Sequence, residues 1–62
     1  MNLEQIIELA QDSHSPEYYN QMSWRQIYTE IYYLLSDKNV EYLTKEDLEQ
    51  AANVIYNLTR EV

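Results

Sequence analysis

The chain lacks cysteine and glycine, and Pro16 is the only proline among its 62 residues. Without cysteine it has neither disulfides nor thiolate metal sites, which suits a reducing compartment, so we expect a cytoplasmic protein. Without glycine it lacks the residue best suited to tight hairpin turns and to the backbone turns that cradle phosphates. These absences favour helices and predict an all-α fold.

Basic residues are also scarce, since four of them stand against eleven acidic residues and the net charge is −7. Such a charge repels nucleic acid and anionic membrane surfaces, so we expect direct binding to neither. The longest unbroken apolar run, residues 31–35, is far shorter than the roughly 20 residues of a membrane-spanning helix. The first residues show no signal-peptide pattern. The expected partner is a protein, and a basic surface on it would complement the charge.

Apolar spacing predicts three helices in a single domain spanning residues 1–62. Their expected ranges are about 3–12, 16–36 with a break near 22–23, and 45–60. The second helix is expected to be kinked at the break or preceded by a short extra helical turn. One continuous second helix is the alternative.

Four capping signals mark the starts of these helices. Asn2, Ser23 and Thr44 each precede an apolar periodic segment and have a capping-box partner three residues on. Ser15 is a further capping residue, because the proline after it suits the first helical position. The Ser23 signal is the reason for placing a break inside the second helix.

The apolar faces predict that these helices form a small three-helix bundle. Trp24 and Tyr28 lie on the apolar face of the second helix, so core packing is their expected role. A connection of about seven residues favours antiparallel packing of the second and third helices. The residues expected to face inward from the third helix are Leu48, Ala51, Ala52, Ile55 and Leu58.

Catalytic and cofactor motifs are not found in this sequence. His14 is the only histidine, and its position between two serines in an expected loop indicates a solvated turn residue. A metal held by Asp12, His14 and Glu17 is the alternative, but so few ligands form a weak signal. Phosphate-loop, HExxH and EF-hand patterns do not occur. We therefore expect no enzymatic activity, no cofactor and no metal.

Two surface features indicate contact with another protein. Glu4, Glu8 and Asp12 recur every four residues as an acidic stripe, which is either a solvated helix face or a mimic of nucleic-acid phosphates. The chain also has seven tyrosines and no phenylalanine, and tyrosine is enriched at interfaces. The tyrosines expected to make contact are Tyr32, Tyr33 and Tyr56, with Tyr18 and Tyr19 as further candidates.

These features predict a small acidic protein-binding module that regulates or inhibits its partner through contact. The alternatives are a DNA-mimic inhibitor of a nucleic-acid-binding protein and a structural subunit of a larger assembly. A chain of this length gains core by pairing with a second copy, so a homodimer is slightly favoured over a monomer.

Overall fold

The computed structural model describes residues 2–37 and 44–60, and these residues form four α-helices. The helices are α1 (Leu3–Ser13), α2 (Pro16–Asn20), α3 (Trp24–Asp37) and α4 (Lys45–Leu58). The two described stretches contain no strand, so the all-α prediction is confirmed. The short α2 is the extra helical turn expected before the second helix. The turn and link expected at residues 38–43 lie outside the described residues.

The capping signals position the helix starts. Asn2 and Ser23 each form a capping box, exchanging hydrogen bonds of 2.9 to 3.3 Å with the glutamine three residues on. Thr44 Oγ1 accepts the backbone N–H three residues on at 3.1 Å. Ser15 occupies the cap position of α2, but its side chain makes no cap hydrogen bond. The fixed φ of the proline that follows is enough to begin this short helix.

Helices α3 and α4 form the most extensive helix pair of the bundle. The indole N–H of Trp24, the first residue of α3, donates to Asn53 Oδ1 in the second half of α4 at 2.6 Å. Just beyond α4, the Arg60 guanidinium donates to the carbonyl of Met22, just before α3. The end of α4 therefore lies beside the start of α3, and the pair is antiparallel, as predicted.

One cluster of apolar side chains fills the space between the helices. Its buried members are Ile6, Ala10, Tyr19, Ile27, Ile31, Leu35, Leu48, Ala51, Ala52 and Ile55. Trp24 and Tyr28 pack against this cluster and are half-buried, in line with their predicted core role. The small side chains of Ala51 and Ala52 are fully buried, and they let neighbouring helices approach α4 closely.

The prediction that Leu58 faces inward is wrong, because its side chain is 47% exposed. The buried side of α4 is centred between Ala51 and Ala52, and at 100° per residue Leu58 falls on the border of that side. Thr59 falls on its centre and is buried instead, where its hydroxyl donates to the Ile55 carbonyl at 2.8 Å.

Candidate functional site

The side of α3 that points away from the core carries two exposed phenol rings. Tyr32 is 51% exposed and Tyr33 is 61% exposed. Their rings meet edge to face, with centroids 5.7 Å apart and planes at 78°. The exposed residues on this side of the helix, called the α3 outer face below, are Arg25, Thr29, Tyr32, Tyr33 and Ser36.

The acidic stripe lies on the outside of α1, as its spacing predicts. Glu4, Glu8 and Asp12 are all exposed, and successive carboxylates are separated by a rise of about 6 Å along the helix. The last turn of α1 contains no basic residue. The stripe is therefore a continuous anionic surface, and its role in binding stays a prediction.

Tyr19 does not belong to an exposed contact surface, although it was a candidate for one. It is only 2% exposed, and its hydroxyl donates to the Ala10 carbonyl at 2.7 Å. Burial raises the pKa of Tyr19 to about 12, and the negative charge of Glu30 adds to the effect. Its neighbour Tyr18 is 38% exposed, so of these two tyrosines only Tyr18 presents its ring to solvent. Tyr19 is the residue that ties α2 to α1.

Tyr18 lies at the border between surface and bundle. Its ring is 38% exposed and stacks on the His14 imidazole, with centroids 3.9 Å apart and planes at 14°. Its hydroxyl donates to Glu30 Oε2 at 3.0 Å, and this hydrogen bond is the main reason why the pKa of Tyr18 is raised. Desolvation and the charge of Glu30 act in the same direction. Tyr18 therefore connects α2 to α3 as well as facing solvent.

His14 is more closely packed than a solvated turn residue. Besides stacking on Tyr18, it places Nε2 at 3.6 Å from Glu30 Oε2. Sequence spacing missed this cluster because Glu30 lies 16 positions further along the chain. Within residues 2–37 and 44–60, no three histidine, aspartate or glutamate side chains are arranged to hold a metal ion.

Tyr56 is half-buried and covered by an arginine. The Arg60 guanidinium lies 4.0 Å from the centre of the Tyr56 ring. It also donates to the carbonyl of Tyr19 in α2, at 3.3 Å, and to the carbonyl of Met22, which lies just beyond α2. The Tyr19 carbonyl also accepts the Met22 backbone N–H at 3.0 Å, so Arg60 adds a further donor there and links the end of α4 to the end of α2. No sequence motif pointed to this role, and Tyr56 presents only part of its ring to a partner.

Surface depressions lined by the described residues include three that bear on this site. Two of them, of about 440 Å³ and 360 Å³, adjoin where α2 meets the end of α4, and they share Pro16, Leu58 and Thr59. The third, of about 170 Å³, lies against α3. Its lining residues are His14, Tyr19, Glu30, Tyr33, Leu34 and Asp37.

No helix in the described part of the chain is both long and apolar enough to cross a membrane. Comparison with protein-family models, with curated proteins and with solved structures finds no match to the chain. The inference of function therefore rests on the geometry of the surface.

Proposed function

We propose that the chain is a cytoplasmic protein-binding module that regulates or inhibits a protein partner by contact rather than by catalysis. The α3 outer face is its main contact surface. The observation that supports this proposal is the exposure of two neighbouring phenol rings, Tyr32 at 51% and Tyr33 at 61%. The opposite side of α3 is buried in the core, so the rings project from a fixed helix and lose little freedom on binding.

The composition of the α3 outer face also fits a contact surface. Arg25 lies seven residues before Tyr32, two helical turns away on the same side of the helix. Tyrosine and arginine are among the residues that most often dominate binding energy at interfaces. The face also includes Thr29 and Ser36, which are uncharged.

Affinity capture from the native host tests this proposal with a double variant. Replacing Tyr32 and Tyr33 with serine is expected to weaken partner binding at least tenfold, by an order-of-magnitude estimate of about 1.4 kcal/mol or more. The matched control is Leu58→Ser, which removes a similarly exposed apolar side chain from α4. Helical circular dichroism should stay unchanged in both. Wild-type affinity in the double variant would contradict the proposal.

A second copy of the chain is one partner that the same variant detects. Sedimentation of the wild-type chain over a range of concentrations measures self-association. A dimer that is lost in the Tyr32→Ser, Tyr33→Ser variant places the homodimer contact on the α3 outer face. A hetero-complex of fixed ratio that persists at high salt instead supports the role of a structural subunit.

A DNA-mimic inhibitor is the second candidate function. It is supported by the exposure of Glu4, Glu8 and Asp12 along one side of α1, where the last turn holds no basic residue. Replacing all three with glutamine should abolish inhibition of a host nucleic-acid-binding protein if the stripe occupies its phosphate-binding groove. Unchanged inhibition by the triple variant would remove this candidate.

A further inference from the structure

The small depression against α3 has more carboxylates in its lining than either of the two larger ones, which contain Glu17 at most. Two of its six lining residues, Glu30 and Asp37, carry carboxylates, and none of the six is lysine or arginine. Its volume of about 170 Å³ is below the ~300–1,000 Å³ of pockets that hold drug-sized molecules. It is therefore suited to the end of one side chain, and its walls favour a cation.

The Glu30 carboxylate is held in position before any ligand arrives. Its Oε2 accepts the Tyr18 hydroxyl at 3.0 Å and lies 3.6 Å from His14 Nε2. Both contacts use the same oxygen, and a carboxylate can accept about four hydrogen bonds in total. Glu30 thus has further acceptor capacity, and it needs little reordering to bind a donor.

Tyr33 lies between the two carboxylates along α3. Glu30 precedes it by three residues and Asp37 follows it by four, spacings that place all three on one side of a helix. A cation over a tyrosine ring is attracted to the π face, and a carboxylate beside it adds charge-assisted hydrogen bonds. Elsewhere in the same chain, the Arg60 guanidinium lies 4.0 Å from the centre of the Tyr56 ring while donating to backbone carbonyls.

We propose that this depression, the α3 pocket, binds the guanidinium of an arginine side chain presented by the protein partner. Glu30 and Asp37 accept its N–H groups, and the Tyr33 ring stacks against its plane. A planar guanidinium suits this arrangement better than an ammonium, because it stacks and donates at once. The net charge of −7 attracts a basic partner from a distance. This inference rests on the proposed function, since Tyr33 belongs to both surfaces.

An NMR titration of the full chain with N-acetylarginine amide tests the α3 pocket directly. Saturable shifts are expected at His14, Tyr33 and Asp37, with a Kd on the order of millimolar for a single side chain. N-acetylcitrulline amide, a neutral molecule of nearly the same shape, should produce no saturable shift at these residues. Equal binding of citrulline amide or of N-acetyllysine amide would overturn the guanidinium assignment.

A pair of charge-matched variants separates the α3 pocket from general attraction to an anionic protein. Glu30→Gln and Glu8→Gln each remove one negative charge, but Glu8 lies on the outside of α1. Glu30→Gln should raise the Kd for arginine amide about threefold to tenfold, and Glu8→Gln should leave it unchanged. The glutamine amide oxygen still accepts the Tyr18 hydroxyl, and circular dichroism checks the fold. Asp37→Asn provides the same test if Glu30→Gln does not fold.

The outcomes distinguish failure of the α3 pocket from failure of the α3 outer face. Tyr32 does not line the pocket, so Tyr32→Ser changes the outer face without removing a pocket residue. One outcome is that Tyr32→Ser no longer captures the partner while the wild-type chain shows no saturable binding of arginine amide. That outcome would overturn the proposed α3 pocket but would support the α3 outer face as the contact surface. If Glu30→Gln and Glu8→Gln weaken the binding of arginine amide equally, the proposal of an arginine-binding α3 pocket would also be overturned.

Discussion

The outer faces of α1 and α3 are both exposed to solvent, but they differ in the chemistry of their exposed side chains. The α1 face presents Glu4, Glu8 and Asp12, whereas the α3 outer face presents Tyr32 and Tyr33. Exposed carboxylates are well solvated and need no further explanation, because charged residues are rarely buried. Paired phenols leave apolar area in water. Solubility is enough to account for the first face, whereas for the second we propose contact with a partner.

The position of Tyr33 sharpens this contrast. At 100° per residue it lies almost opposite Ile31 and the rest of the buried side of α3. A lysine or glutamate would fit the same position and would add solubility. Core packing therefore does not account for a tyrosine there. Single exposed apolar residues are common on proteins, but two adjacent rings on one helix face form a patch.

The largest expected effect separates the two sides of α3. Ile31→Ala should lower the free energy of unfolding by about 2–5 kcal/mol, because Ile31 is buried in the core and its loss leaves a cavity. Tyr33→Ala should change it by less than about 0.5 kcal/mol, as expected for a surface site. Urea denaturation followed by circular dichroism measures both. A loss above about 1 kcal/mol in Tyr33→Ala would mean that the ring supports the fold.

A buried phenol provides the second comparison. Tyr19→Phe removes the hydrogen bond to the Ala10 carbonyl and should cost about 0.5–1.5 kcal/mol near neutral pH. The loss belongs at the lower end, because that carbonyl also accepts the His14 backbone N–H at 3.3 Å. Urea denaturation of the wild-type chain and of Tyr19→Phe near neutral pH measures this difference in the free energy of unfolding. No loss of stability would contradict a structural role for the Tyr19 hydroxyl.

At alkaline pH, Tyr19→Phe should become more stable than the wild-type chain, which is the reverse of the order near neutral pH. The pKa of Tyr19 is raised from 10.0 to about 12 in the folded state, so folding favours the protonated phenol. Its contribution is fully present below about pH 10 and is lost as pH rises toward about 12, by roughly 2–3 kcal/mol. Tyr19→Phe lacks this loss, and the two stability curves should cross in that window. Parallel curves would contradict the raised pKa.

Local signals predicted the helices of this chain well. The break before α3 follows from the capping box of Ser23 and Gln26, which involves residues three apart and can be identified from neighbours alone. The outward positions of Glu4, Glu8 and Asp12 follow from helical periodicity in the same way. Features that depend on residues within one or two helical turns of each other can therefore be predicted from the sequence.

Features that depend on distant residues were not predicted. Tyr18 and Tyr19 are chemically identical, and only the placement of α2 against α1 decides which one is buried. The contact of His14 and Tyr18 with Glu30 joins segments that no periodic pattern relates. The α3 pocket arises from these contacts, so it could not be predicted from spacing. The α3 outer face could be predicted in part, because helical spacing puts Tyr33 on the same side as the polar residues Thr29 and Ser36.

The smallest expected effect tests whether the α1 face is only a solvated surface. Asp12 lies in the last turn of α1, near the negative end of the helix dipole, and that turn has no basic residue. Asp12→Gln should therefore raise the free energy of unfolding by about 0.3–1 kcal/mol at low salt, and Glu4→Gln in the first turn should lower it by a similar amount. Both effects should shrink as salt screens the charges.

Urea denaturation at two ionic strengths measures this pair of opposite changes, with Glu8→Gln in the middle of α1 as the control. A destabilised Asp12→Gln chain would show that Asp12 has a stabilising partner that outweighs the dipole. A stabilised one would show that the chain keeps a carboxylate where it weakens the fold, although ten other acidic residues already provide solubility. Both the α1 face and the α3 outer face would then need a partner to explain their residues. The two faces would differ only in the chemistry of the contact, which is carboxylates on α1 and phenol rings on α3.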